Sequence, residues 1–212
     1  MKFISSLIFL LVIVACKDSN KIPDNFDYGE VKNGVYTNKY LNFDFRSPQG
    51  WAIQSKEQLK AVMNEGQKMI EKNNKDLGQQ IKAADVRSAG LFAAFKYPTD
   101  SFTGKFNSSV SIAIENVSGV RTVKSGKDYL MSARSMMERS GIEYTFGDYT
   151  KETIGNKEFD VLKTNVTMQH VPLKQRYYVT LIKGFALVVI TTFQDDSEEA
   201  EFDDILKGFK FN

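Results

Sequence analysis

Cys16 is the only cysteine in the chain and His170 the only histidine. Catalytic triads, general-base histidines and most zinc sites need an imidazole with partners. With one imidazole, and the single thiol expected to carry lipid, neither a classical zinc site nor a Cys–His nucleophile is expected. His170 precedes Val171-Pro172 at the end of an expected strand and reads as a hairpin-loop residue. The densest acidic cluster is Asp195, Asp196, Glu198, Glu199, Glu201, Asp203 and Asp204. It has oxygens of the kind calcium takes, but not the glycine turn and ligand spacing of a calcium loop. Acidic residues in a first helical turn complement the helix dipole, and that is the reading preferred. Met63, Met69, Met136 and Met137 recur at helical spacing and are expected in the core, not around a soft metal. No Gly-x-Ser-x-Gly elbow and no phosphate-cradling glycine loop occurs. The sequence therefore offers no catalytic residue, no metal site and no cofactor, and the expectation is a non-enzyme whose ligand-binding residues are not legible.

The informative thiol is Cys16, because of where it stands. A single positive charge at Lys2 is followed by Ile4 to Val14, apolar apart from Ser5 and Ser6, and then by Ala15. Charge, short apolar core and small residue make a secretory leader, and the run falls short of the roughly 20 residues of a spanning helix. Ile13-Val14-Ala15-Cys16 resembles the lipobox of bacterial lipoproteins. That resemblance implies a signal peptide over residues 1–15, cleavage between Ala15 and Cys16, and alkylation of the Cys16 thiol with diacylglycerol. One acyl chain holds a protein weakly and two or more hold it firmly, so the lipidated cysteine would be the membrane contact. Lys17 stands where an inner-membrane-retained Gram-negative lipoprotein tends to carry aspartate. The outer membrane is accordingly favoured over the inner, with the domain in the periplasm or at the cell surface.

The chain has 212 residues, 28 basic against 26 acidic, net +2. This balance, without any basic block, gives no reason to expect nucleic acid. A lone cysteine excludes an internal disulfide. Residues 16–33 are polar and carry Pro23, and are expected to be the lipidated cysteine and a flexible tether. One globular domain is expected over 34–212.

Within that domain Leu41, Phe43 and Phe45 alternate with polar residues, a strand with one buried face. Ser47-Pro48-Gln49-Gly50 turns into Trp51-Ala52-Ile53. Ser55 with Gln58 forms a capping box for a long amphipathic helix from Lys56 to about Ala84, which Asn73-Asn74 and Gly78 weaken. Strands follow near Leu91–Tyr97 and Val110–Ile114, around a loop from Asp100 to Asn107. Ser125 caps a second helix that Gly141 stops. Extended pieces run from Ile142 to Tyr149, Glu152 to Ile154 and Glu158 to Gln169. Tyr177–Ile182 and Phe185–Thr192 pair through Lys183-Gly184, and a last helix over Glu198–Lys207 ends at Gly208. Alternate strand residues point oppositely, so one of Tyr177 and Tyr178 is expected under a helix or at the surface. Helices do not alternate with strands and the back half is a meander. The fold class expected is α+β: an antiparallel sheet covered by helices.

The stretch from Tyr36 to Trp51, with Tyr36, Asn38, Pro48, Gly50 and Trp51, is similar to the opening of PsbP-like domains. The hairpin from Tyr177 to Thr192, the acidic helix and Ile205-Leu206 ahead of Phe209 and Phe211 resemble their close. The resemblance implies an α/β/α sandwich with a central antiparallel sheet flanked by helices, shared with a Ran-binding nuclear import factor family. Members mostly bind proteins, and the matching residues are fold-making ones, so no binding residue carries over. Two functions are expected from this reading. The first is a membrane-anchored, non-catalytic protein-binding or assembly module with an envelope protein partner. The alternative is a carrier of a small apolar ligand, in a pocket between the sheet and the Lys56 helix.

Overall fold

The computed structural model describes residues 21–212 apart from 101, 103, 105 and 169. The leader, Ala15 and Cys16 lie outside the described residues.

Among the described residues eleven strands form two antiparallel sheets. The large sheet has seven strands. They are β4 (Ala52–Ile53), β5 (Ser88–Phe95), β6 (Ser109–Asn116), β7 (Tyr144–Ile154), β8 (Lys157–Met168), β9 (Val171–Ile182) and β10 (Phe185–Phe193), in spatial order β4-β5-β6-β10-β9-β8-β7. The small sheet runs β1-β2-β3-β11, from β1 (Glu30–Lys32), β2 (Val35–Asn38), β3 (Phe43–Arg46) and β11 (Phe209–Phe211). Helices α1 (Lys56–Asn73), α2 (Lys75–Ala84) and α3 (Gly126–Arg139) cover one face of the large sheet, in a core that includes Ile70, Leu77, Leu130 and Met137. The small sheet and α4 (Glu199–Leu206) cover the other, in a core that includes Phe43, Phe45, Phe202 and Phe209. The protein is therefore α+β, with a central antiparallel sheet flanked by helices, and a second sheet shares the flank with α4.

Local signals place the elements. Ser55 Oγ accepts from the Gln58 N–H at 3.2 Å and Gln58 Oε1 from the Ser55 N–H at 2.8 Å, closing the capping box of α1. The long helix breaks at Asn74, which closes α1 and caps α2 through its side chain. Ser125 caps α3, and Gly141 follows it at φ +72°. Lys183 and Gly184 have φ of 50° and 82°, as a two-residue hairpin between twisted strands requires. The two extended pieces expected from Ile142 to Ile154 merge into β7, whose register to β8 shifts between Phe146 and Tyr149. β9 begins at Val171, six residues earlier than the sequence pattern indicates, and makes β8 and β9 a long hairpin.

One expectation is corrected and one is met. Residues 21–33 do not behave as a tether. Phe26 is buried against Tyr40 and Phe185, the Ile22 N–H donates to the Val86 carbonyl at 3.0 Å, and β1 pairs with β2. One aromatic ring in a polar stretch is enough to seat the segment when a hydrophobic site faces it. Tyr177 and Tyr178 are both buried, at 1% and 0% exposure. Their side chains point oppositely: Tyr177 lies under the helices, as expected, and Tyr178 lies under the small sheet, so neither reaches the surface.

Candidate functional site

The first turn of α1 stands over the open edge of the large sheet, and a cavity of about 520 Å³ lies between α1, α2 and β5. Its apolar wall is Leu59, Met63 and Ile70 of α1 with Ile81 and Ala84 of α2. Lys56, Lys60, Asn64 and Gln67 border it along a second line of α1, spaced three and four residues apart, one face of the helix. Tyr28 closes it from the N-terminal segment.

Three close approaches fix these walls. A Cβ on Gly78 would lie 2.6 Å from the Glu71 Cα, so α2 folds back tightly on α1. A Cβ on Gly90 would lie 2.7 Å from Leu59 Cδ2 and 3.0 Å from Met63 Sδ, so α1 sits directly on β5. Asn74 donates its amide to the Arg139 carbonyl at 2.9 Å while accepting from the Leu77 N–H at 3.1 Å, tying the helix junction to the end of α3.

Ser88, Ala89, Gly90 and Leu91 all line the cavity. Consecutive strand residues point to opposite faces, so four in a row means that the cavity meets the edge of β5. β4 covers only Phe95 and Ala94 on that side, and the Gln54 N–H adds one bond to the Ala93 carbonyl at 2.9 Å. Among the described residues no strand pairs with β5 ahead of that point on this edge. The Asn116 N–H donates to the Arg87 carbonyl at 2.8 Å, a bond flanking the pair Ser88–Glu115. Such a flanking bond marks a pair whose own N–H and C=O groups point away from the partner strand. Ser88 therefore aims its backbone donor and acceptor out of the sheet, and the alternation brings Gly90 to the same edge.

The mouth is cationic. Neither Lys56 nor Lys60 has an ion pair among the described residues. Desolvation pushes the Asp85 carboxyl above its ordinary value, although Lys60 and Lys82 nearby pull the other way. The arrangement suits a guest with an apolar body, backbone or other polar groups along one side, and negative charge near α1.

The residues singled out in the sequence take other roles. His170 is exposed at φ 66° in the connection between β8 and β9, far in sequence from every cavity residue. The acidic cluster docks α4. Glu198 accepts from Ser108 Oγ at 2.8 Å and from Lys96 at 3.3 Å, Lys96 also reaches Glu201 at 2.7 Å, and Arg176 holds Asp203 at 2.9 Å and Glu199. Among the described residues no three His, Cys, Asp or Glu side chains group as metal ligands would. Met136 and Met137 are core residues. Met63 and Met69 are half-buried, and Met63 borders the cavity. Trp51 is half-buried, edge-on to Phe202 at 5.7 Å. Ser88, Gly90, Lys56 and Lys60 carried no sequence signal, because lysines on an amphipathic helix look like an ordinary solvated face.

No family model and no curated protein matches the chain. Among solved structures it is similar to PsbP of the cyanobacterium Synechocystis sp. PCC 6803, with TM-score 0.51 and 12% identity over 84% of this chain and 91% of that one. It is also similar to LpqN of Mycobacterium tuberculosis, described as involved in cell envelope biogenesis (TM-score 0.41, 12% identity, 80% of this chain and 83% of that one). A third is a protein of unknown function and putative regulator from Pseudomonas aeruginosa (TM-score 0.38, 13% identity, 47% of this chain and 70% of that one). The chain has the PsbP fold.

Proposed function

We propose that this chain is a lipid-anchored envelope lipoprotein whose domain is a non-catalytic protein-binding module, with the cavity between α1, α2 and β5 as its docking site. The observation that carries the reading is the junction of an apolar cavity with an unpaired strand edge at Ser88–Leu91. A sheet edge is a template for another chain, and an adjoining apolar pocket gives that chain a place for a side chain. The leader and Cys16 support the anchor, and no helix of the described residues is long and apolar enough to cross a membrane.

In-cell photo-crosslinking tests it. A photoreactive residue replacing Asn64, at the cavity rim, should capture one dominant envelope protein from cells making the full-length chain. The same residue replacing Met131, exposed on α3, should not, and Cys16→Ser should lose the capture. Equal capture from both positions, or none from Asn64, would remove the cavity as a protein-docking site.

The volume and the apolar wall favour a second reading, a carrier of a small apolar ligand, since pockets of about 300–1,000 Å³ suit such guests. Native mass spectrometry of the full-length protein released from detergent would show an added small mass, absent from Met63→Trp.

A further inference from the structure

We infer that the partner docks by strand addition: an extended segment pairs with the backbone of Ser88 to Gly90 and places a bulky apolar side chain in the cavity, with an acidic residue beside it facing Lys56 and Lys60. This rests on the protein-binding reading of the same cavity.

The edges β7, β1 and β11 are guarded, β11 by its three-residue length and by the Asn156 amide, which donates to the Phe211 carbonyl at 3.1 Å. β7 closes the large sheet on the far side with its register break at Phe146/Tyr149 and the ion pair of Lys151 with Glu158 at 2.5 Å. β1, one edge of the small sheet, has three residues, and Glu30 and Lys32 pair there at 2.7 Å. Short edges, bulges and charge are the devices by which proteins prevent edge-to-edge pairing. Ser88-Ala89-Gly90-Leu91 has no charge and no proline. Its one irregularity is the register shift between Gly90 and Phe92, which ends the free stretch without covering it.

The hydrogen-bonding pattern then fixes what can sit there. Ser88 and Gly90 present their N–H and C=O groups to the cavity side, two residues apart, which is about 7 Å along a strand. Groups repeating at that distance match the alternate residues of an extended chain. A compact apolar molecule would leave them unpaired in a desolvated place, which is costly. A helix would have no free backbone to offer them. Pairing by main chain supplies affinity without sequence preference, and the pocket for an alternate side chain supplies the preference. Here that pocket is Leu59, Met63, Ile70, Ile81 and Ala84.

Charge sets the remaining requirement. Lys56 and Lys60 lie one helical turn apart on the cavity side, without ion-pair partners among the described residues, and Asp85 is the one acidic residue of the lining. A basic segment would meet two ammonium groups at close range, and an acidic one gains charge-assisted contacts.

The test uses the full-length lipoprotein in detergent micelles and a displayed library of random ten-residue peptides. Expected are enriched peptides with a bulky apolar residue and an acidic neighbour, none of which binds Met63→Trp. Binding of an enriched peptide should slow amide hydrogen exchange at Ser88 and Gly90 at least tenfold. N-methylation of alternate peptide amides should weaken binding at least tenfold, a readout that does not depend on any variant folding. Ser88→Pro, which removes an edge donor without breaking a bond to β6, should weaken it similarly. Lys56→Glu with Lys60→Glu should switch the enriched peptides from acidic to basic. No enrichment over Met63→Trp, unchanged exchange at Ser88 and Gly90, or indifference to N-methylation overturns strand addition. Selection unchanged by the double lysine variant overturns the acidic requirement. Capture of a protein through Asn64 with those two amides unprotected keeps the protein-binding reading and sinks this docking mode, whereas loss of the capture sinks both.

Discussion

The Tyr129 hydroxyl donates to Oε2 of Glu115 across 2.9 Å, joining α3 to β6 inside the layer between helices and sheet. Glu115 is 1% exposed, and Arg87 stands 3.6 Å from its other oxygen. A carboxylate in such a place loses its hydration and recovers part of it from a hydroxyl and a guanidinium. The loss dominates: burial pushes Glu115 up to about 7, with Tyr129 and Arg87 pulling it down.

The sign of the pH dependence follows. An unfolded glutamate titrates at about 4.3. Between that value and about 7 the folded chain holds a proton that the unfolded chain has released. The stability linked to this proton is complete below the unfolded value, falls as pH rises, and is lost above the folded one. The shift corresponds to about 3–4 kcal/mol. Urea unfolding of wild type and Glu115→Gln at several pH values isolates it, because the other carboxylates are common to both. The difference between the two proteins should move against wild type by roughly that amount from pH 4 to pH 8. A difference that stays flat would show that Glu115 titrates alike in the folded and unfolded chains.

The α1–α2 junction should be sensitive at two positions for different reasons. Asn74→Ala removes the cap on α2 and the bond to Arg139, and should cost about 1–2 kcal/mol. Gly78→Ala would ordinarily gain about 1 kcal/mol of helix propensity. Its Cβ would lie 2.5 Å from the Glu71 Cβ and 2.6 Å from the Glu71 Cα. Backbone cannot yield as a flexible side chain can, so a net loss of about 1–3 kcal/mol is expected. Thermal unfolding measures both, and a more stable Gly78→Ala would mean that the two helices separate freely.

Much of this was legible in the sequence wherever the signal is local. Ser55 with Gln58, Ser125, Gly141 and Lys183-Gly184 act on their own neighbours, and each stands where its chemistry indicated. The break at Asn74 was legible for the same reason. Signals that depend on a distant surface were not. Phe26 is seated by Tyr40 and Phe185, far away in the chain. Both Tyr177 and Tyr178 are buried because the small sheet, built from the two ends of the chain, covers the second face. The cavity between the Lys56 helix and the sheet could be anticipated as a place, but its edge character could not, since it depends on how short β4 is.

Arg176 should separate packing from charge. Its side chain is 4% exposed, its guanidinium lies 5.4 Å from the Phe193 ring centre, and it holds Asp203 at 2.9 Å. Asp203 is 57% exposed and Glu199 46%, so both can return to water if the arginine is lost. Replacing a buried ion pair by apolar side chains of similar size is often nearly neutral, and the penalty for removing one partner comes from a charge left buried, which neither of these exposed carboxylates would be. Arg176→Met should therefore cost about 1 kcal/mol or less. Arg176→Ala removes the cover of Phe193 and leaves a void, and should cost about 2–4 kcal/mol. Denaturant titrations at neutral pH read this order, and equal losses for Met and Ala would mean that charge outweighs packing here.

Gly90 links stability to the candidate site. Its Cβ would meet Leu59 Cδ2 at 2.7 Å and Met63 Sδ at 3.0 Å. Both are ends of flexible side chains, and both belong to the cavity wall. Gly90→Ala should therefore be absorbed by rotation of Leu59 and Met63 at about 1 kcal/mol. The displaced side chains border the cavity, so its volume should fall even though the fold survives. Gly90→Val adds a branched side chain and should cost about 1–3 kcal/mol. The informative comparison is between unfolding and photo-capture through Asn64 in the same two variants. Capture should drop in Gly90→Ala by far more than its stability loss explains, since the protein remains almost wholly folded. Capture that falls only in step with unfolding would mean that the cavity walls do not govern docking.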